Sequence, residues 1–285
     1  MGCVVTSTSI STAIETLLVA RNPRGMARVR HHLEPGYCLR AAQTLVAASG
    51  NVIVCTGFPV GGTFETDGPP GAFALYHFLE SIGARPWILA GERLTGALGA
   101  AVRTWTLNSF DYEGARAESE ALLLDVTPSM IVVIERPGAA EDGRFYNIAG
   151  VDISAECRPV EPLLELATCP VIAIGDGGNE AGMGRAGPVL DSLNIKPARV
   201  GCDELVIADV SNWGAYAVIA IAEALCARPI LDWLDSGALL SRCIELGAVD
   251  GVTHQPTETE DGFQASVGET VIEAIRQVLA GEELQ

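Results

Sequence analysis

Six short, nearly continuous apolar runs rich in β-branched residues alternate with longer Ala/Leu-rich stretches, and this pattern constrains the fold more than any other feature of the sequence. The runs are residues 51–56, 86–90, 102–107, 130–135, 170–175 and 204–209. A strand with one wet face alternates apolar and polar residues. Met130-Ile131-Val132-Val133-Ile134 does not alternate, so it reads as a strand covered on both faces. Helices are expected over 71–82, 112–124, 160–167, 187–193 and 213–227, with others at 10–20, 37–49, 239–246 and 267–280. Strands separated by helices pair in parallel through crossover connections. The predicted fold is therefore α/β, a mostly parallel sheet of about six to seven strands with helices on both faces, in a Rossmann-like three-layer sandwich. Residues 1–36 read as an N-terminal helix and connecting segment packed on the core, and 37–285 as one α/β domain. The polar stretch 251–262 reads as a surface loop.

Charge narrows the function classes. Acidic residues number 36 against 18 basic ones, for a net charge of −18. A nucleic-acid or anionic-membrane surface needs a positive face, so neither partner is expected. Arg21, Arg24, Arg28 and Arg30, followed by His31 and His32, form a basic cluster. It reads as a solvated turn and helix end in preference to an anion-facing patch. The eight cysteines include no pair within four positions, which leaves out a zinc knuckle or CxxC motif and fits a reduced, cytoplasmic protein. Met1-Gly2-Cys3-Val4-Val5-Thr6 matches a lipidation pattern, but no polybasic stretch follows at once to support anchoring.

Doubly wound sheets bind ligands outside the carboxyl ends of their strands, so the residues after each run carry the functional reading. Thr56-Gly57-Phe58-Pro59 and Glu65-Thr66-Asp67-Gly68-Pro69-Pro70-Gly71 follow the first run. Glu135-Arg136-Pro137-Gly138 follows the fourth, Asp176-Gly177-Gly178-Asn179-Glu180 the fifth, and Asp209-Val210-Ser211-Asn212-Trp213-Gly214 the sixth. Prolines suit the first turn of a helix, so a helix should open at Pro69 and Pro70. If these ends converge, Glu65, Asp67, Asp176, Glu180 and Asp209 share one crevice. Like charges that close raise one another's pKa unless a cation intervenes. A divalent metal or an amine substrate is expected on that ground. Arg136 offers bidentate contact to a substrate carboxylate. Thr66, Gly68, Asn147, Asn179 and Asn212 are the remaining candidate substrate contacts. With oxygen donors and no His or Cys in these motifs, the expected metal is Mg²⁺ or Mn²⁺, held by ligands drawn from Asp67, Asp176, Glu180 and Asp209. Gly182-Met183-Gly184-Arg185-Ala186-Gly187 matches GxGxxG but starts several residues past its strand, so no nicotinamide or flavin cofactor is expected.

Taken together with Tyr146–Ser154, these segments resemble the D-glutamate cyclase family, from about Tyr37 to the C-terminus. The resemblance implies a lyase that cyclises D-glutamate, or a close acidic amino acid, to 5-oxo-D-proline with loss of water. It also implies dependence on Mg²⁺ or Mn²⁺. Two other readings stand beside it. One is a non-catalytic module binding a nucleotide or small anion through its Gly-rich loops. The other is a metal-dependent hydrolase. A homodimer fits such a scaffold, although no residue specifies it.

Overall fold

The computed structural model describes residues 7–226 and 235–281. The lipidation pattern at residues 1–6 lies outside them. Three helices lead in: α1 (Thr8–Leu18), α2 (Met26–Arg30) and α3 (Tyr37–Val46). Then come β1 (Asn51–Cys55), a hairpin of β2 (Pro59–Val60) and β3 (Thr63–Phe64), α4 (Pro69–Ser81), β4 (Arg85–Gly91), α5 (Glu92–Leu98) and β5 (Thr104–Leu107). The chain continues through α6 (Tyr112–Val126), β6 (Met130–Ile134), α7 (Glu161–Leu166), β7 (Val171–Gly175) and β8 (Glu204–Ile207). Helix α8 (Ser211–Cys226) and helix α9 (Ser236–Glu245) follow. The short strands β9 (Thr259–Glu260) and β10 (Phe263–Gln264) and the helix α10 (Ala265–Ala280) end the described chain.

All six apolar runs are strands of one parallel sheet, in the order β5-β4-β1-β6-β7-β8. Counted along the chain, that order starts in the middle, winds one way and then reverses, so β1 and β6 flank the switch point. Period-two side-chain alternation splits the core. Val52, Val54, Met130, Val132 and Ile134 pack under α3, α4 and α8, whereas Ile53, Cys55, Ile131 and Val133 pack under α6 and α7. Helix α8 is buried continuously from Ser211 to Ala222 and supplies the centre of the larger core. Among the described residues, no helix is long and apolar enough to cross a membrane.

Two expectations change. The 187–193 segment is not an α-helix. It belongs to a run of 3₁₀ turns, Met183–Ser192, broken at Gly187 with φ 69° and ψ −148°. The GxGxxG glycines there serve packing: a Cβ on Gly182 would lie 2.2 Å from Ala173 Cβ, and one on Gly184 would lie 2.2 Å from the Arg199 carbonyl. The 251–262 stretch is also more than a surface loop, because Thr259 and Glu260 are buried and its Gly251 and Asp261 line a cleft that they share with Glu135 and Asp176.

Candidate active site

A cleft of about 210 Å³ opens over the carboxyl ends of β1, β6 and β7, beside the switch point. Its floor is set by an exchange of caps between two helices. Asp67, just before α4, accepts hydrogen bonds from the Ser211 and Asn212 amides at the start of α8, at 2.7 and 2.8 Å. Asn212 returns the contact: its Oδ1 accepts from the Gly68 and Gly71 amides at the start of α4. Two helix N-termini are thereby satisfied by each other's side chains, and both positive dipole ends face Asp67. Gly68 sits at φ 96°, and a Cβ there would come within 2.7 Å of Glu135 Cβ, so only glycine fits.

Around this floor stand Glu65, Glu135 and Asp176, all nearly buried. Carboxylate oxygens of Asp67, Glu135 and Asp176 lie within 4.8 Å of one another. Glu135 follows β6 with φ 43°, a left-handed conformation that is costly for a glutamate. Its carboxylate accepts a 2.6 Å hydrogen bond from the Ser211 hydroxyl. Glu65 packs so tightly on Gly251 that a Cβ there would fall 2.2 Å from Glu65 Oε2. Burial, reinforced by neighbouring carboxylates, pushes the carboxyl pKa values of Glu65, Asp67 and Glu135 well above the ordinary range. In Asp176 burial likewise raises the value, and outweighs the adjacent Arg24 guanidinium.

Arg24 brings positive charge to this cleft. Its Nη1 lies 2.6 Å from Asp176 Oδ2 and 2.5 Å from Asp261 Oδ2. Burial disfavours its charge, but the two aspartates outweigh that and raise its pKa. The basic cluster read as a solvated turn thus divides: Arg24 turns inward, while Arg28, on α2, reaches Ser192 at the surface. Below Asp67, Glu260 accepts from Asn212 Nδ2 at 2.8 Å and from the Trp213 indole at 2.6 Å. Burial pushes Glu260 up to about 7 against these hydrogen bonds.

The predicted site residues separate into three groups. Glu65, Asp176, Asn147, Asn179 and Glu180 line the cleft. Among them, Glu180 is committed to the backbone of its own turn, accepting from the Gly177 and Gly178 amides at 2.7 Å each. Asn147 Oδ1 accepts from Ala149 and Val151, and Asn179 donates to the Tyr146 carbonyl. Asp67, Thr66, Gly68 and Asn212 are buried behind the cleft wall and do not line it, with the Thr66 hydroxyl on the Thr259 carbonyl. Asp209 and Arg136 point elsewhere. Asp209 accepts from the Arg21 and Asn22 amides, at 2.7 and 3.0 Å, and so fixes the turn that carries Arg24. Arg136 lines a separate cavity and donates to the Gly57 and Arg158 carbonyls. Sequence reasoning did not select Arg24, Glu135, Glu260 or Asp261. Glu135 had the clearest signal, as the carboxylate ending a fully apolar strand.

The profile of the D-glutamate cyclase-like, C-terminal family matches residues 14–276, a span that includes Arg24. The mitochondrial D-glutamate cyclase of Homo sapiens is 32% identical over 243 residues, covering 75% of this chain and 39% of that protein. The chain therefore spans well under half the length of this relative. Among solved structures, an exopolyphosphatase-related protein from Bacteroides fragilis aligns with a TM-score of 0.41 at 10% identity, over 88% of this chain and 62% of that one. A likeness that loose carries no argument about fold or function.

Proposed function

The chain belongs to the D-glutamate cyclase-like family, and from that premise we propose that the acid cleft is the active site of a lyase that closes D-glutamate, or a close acidic amino acid, to 5-oxo-D-proline. The supporting observation is the set of buried carboxyl groups with raised proton affinity, facing a single guanidinium at the switch point. The reaction joins the α-nitrogen to the γ-carboxyl carbon and expels one γ-oxygen as water. Its first demand is a neutral amine. A buried carboxylate with a raised pKa is a competent acceptor for the ammonium proton, and Glu65 and Glu135 stand on the cleft wall to serve. Its second demand is proton delivery to the departing oxygen, which a carboxyl whose burial favours the protonated form can meet. Arg24 is the group we assign to the substrate α-carboxylate, exchanging one aspartate partner for the substrate. In that assignment Asp209 is a positioning residue, because it holds the backbone of Arg21 and Asn22.

The donor set also fits a hard divalent cation. Asp67, Glu135 and Asp176 offer only oxygen ligands, with the convergence that such an ion needs. Mg²⁺ or Mn²⁺ bound there would draw charge from the γ-carboxylate and make its carbon electrophilic. In this reading Glu135 stands in the ligand set where the sequence suggested Glu180 and Asp209, because its oxygens converge with those of Asp67 and Asp176. The seven described cysteines are free thiols, which favours a reducing compartment such as the cytoplasm. The test is direct. Incubation with D- and L-glutamate and either metal, followed by NMR, should show loss of the primary amine and appearance of 5-oxoproline from the D-isomer. No product with any divalent metal would overturn the reading. Full activity after exhaustive EDTA treatment would remove its metal component alone.

A further inference from the structure

A second cavity of about 220 Å³ lies on the other side of the β2–β3 hairpin, over the ends of β1 and β4. Arg93, Arg136 and Arg158 line it, against one acid, Glu156. In a chain with twice as many acidic as basic residues, none of the three forms an ion pair with a described carboxylate. Arg136 is only 5% exposed, and its Nε is buried without a hydrogen-bond partner. The Arg158 Nε is in the same condition. A structural role accounts for two of the five Arg136 N–H groups, those on the Gly57 and Arg158 carbonyls. It does not account for the rest, nor for Arg158, whose guanidinium lies 4.4 Å from the Phe110 ring centroid. The backbone makes room for this charge. A Cβ on Gly91, at the end of β4, would lie 3.0 Å from Arg158 Nη1. Burial and the neighbouring Arg136 lower the Arg158 pKa, and they outweigh the Glu92 and Glu118 carboxylates, which raise it.

We infer that this cavity is a second ligand site, taking a small phosphate-bearing anion through Arg93, Arg136 and Arg158. A carboxylate is matched by one bidentate guanidinium, whereas three guanidiniums lining one cavity suit a doubly charged tetrahedral oxyanion. The site owes nothing to the Gly-rich loops, and it stands whether or not the acid cleft is a cyclase. Isothermal titration of the whole chain at constant ionic strength tests it, with inorganic phosphate, glycerol phosphate and acetate as probes. Phosphate should bind above the chloride background. Arg158→Gln should weaken it about tenfold, and Arg93→Gln, at an exposed position that cannot unfold the core, about threefold. Tighter binding of glycerol phosphate would mark phosphate esters as the natural ligands, and tighter binding of inorganic phosphate would mark the free ion. Both results support the site. It is overturned by phosphate heats equal to those of chloride, by acetate binding as tightly as phosphate, or by phosphate affinity unchanged in both variants.

Discussion

The acid cleft and the arginine cavity open on the same edge of one sheet, share Pro59 and Glu156 in their walls, and carry opposite charge. They solve the problem of buried charge differently. In the acid cleft the carboxyl groups can shed charge by holding protons, and backbone amides and Arg24 stabilise what remains. In the arginine cavity no such escape exists, because a guanidinium stays protonated throughout the working pH range. Carbonyls of Gly57 and Arg158 take part of the Arg136 charge density, and the buried Glu161 carboxylate attracts it from a distance without forming an ion pair. An acid cluster of this kind tolerates being empty, at the cost of raised pKa values. An arginine cluster draws in an anion. The β2–β3 hairpin keeps the two environments apart, and its Gly62 amide is tied to Glu156 at 3.2 Å.

The largest test of this contrast is Asp176→Asn. It removes one member of the carboxylate triad and one of the two Arg24 partners. Turnover should fall at least about a hundredfold, as for loss of a group acting in the transition state. Phosphate affinity at the arginine cavity should stay within about twofold, since the cavities share neither Asp176 nor Arg24. A parallel loss in both assays would merge the two sites into one.

Next in size is the pH dependence of stability. Glu260 is raised from 4.5 to about 7 by burial, so the folded protein holds its proton more tightly than the unfolded chain does. Its contribution is complete below about pH 4.5 and is lost as pH rises through about 7, a change of roughly 3 kcal/mol at most. The raised groups of the cleft slope the same way. Metal-free protein should therefore melt higher at pH 5 than at pH 8, and Glu260→Gln should flatten part of the difference. A melting temperature that climbs between pH 5 and pH 8 in chelator would show that the carboxylates are ionised and paired. The arginines add no slope in that range.

Phe110→Ala should have the smallest effect. The ring is half exposed, and its main partner is the Arg158 guanidinium. Thermal unfolding should show a loss of about 1 kcal/mol or less, the range of an exposed cation–π contact. A much larger loss would mean that Phe110 anchors the core, and that Arg158 is held by packing instead of being offered to a ligand.

Much of this molecule was legible in its sequence. Apolar runs such as Met130–Ile134 and Val171–Gly175 have one stable solution, a strand buried on both faces, and the intervening helices then require parallel pairing. The placing of carboxylates at strand ends followed from the same reading: Asp67 and Asp176 bring their oxygens near those of Glu135, and Glu65 lines the same cleft as Asp176. The sequence alone did not decide where each polar side chain faces. Asp209 ends its strand as Asp176 does, yet it turns to the amides of residues 21 and 22, while Arg136 turns to the opposite side of the hairpin. Arg24 and Asp261, 237 positions apart, meet across Asp176 because the first turns of the chain and the β9–β10 corner fold over the same sheet edge. Periodicity reports which face of an element is apolar, and it is a local property. The direction of a polar group at the end of an element depends on one backbone dihedral, as at Glu135, and on partners that only the folded chain brings within hydrogen-bond range.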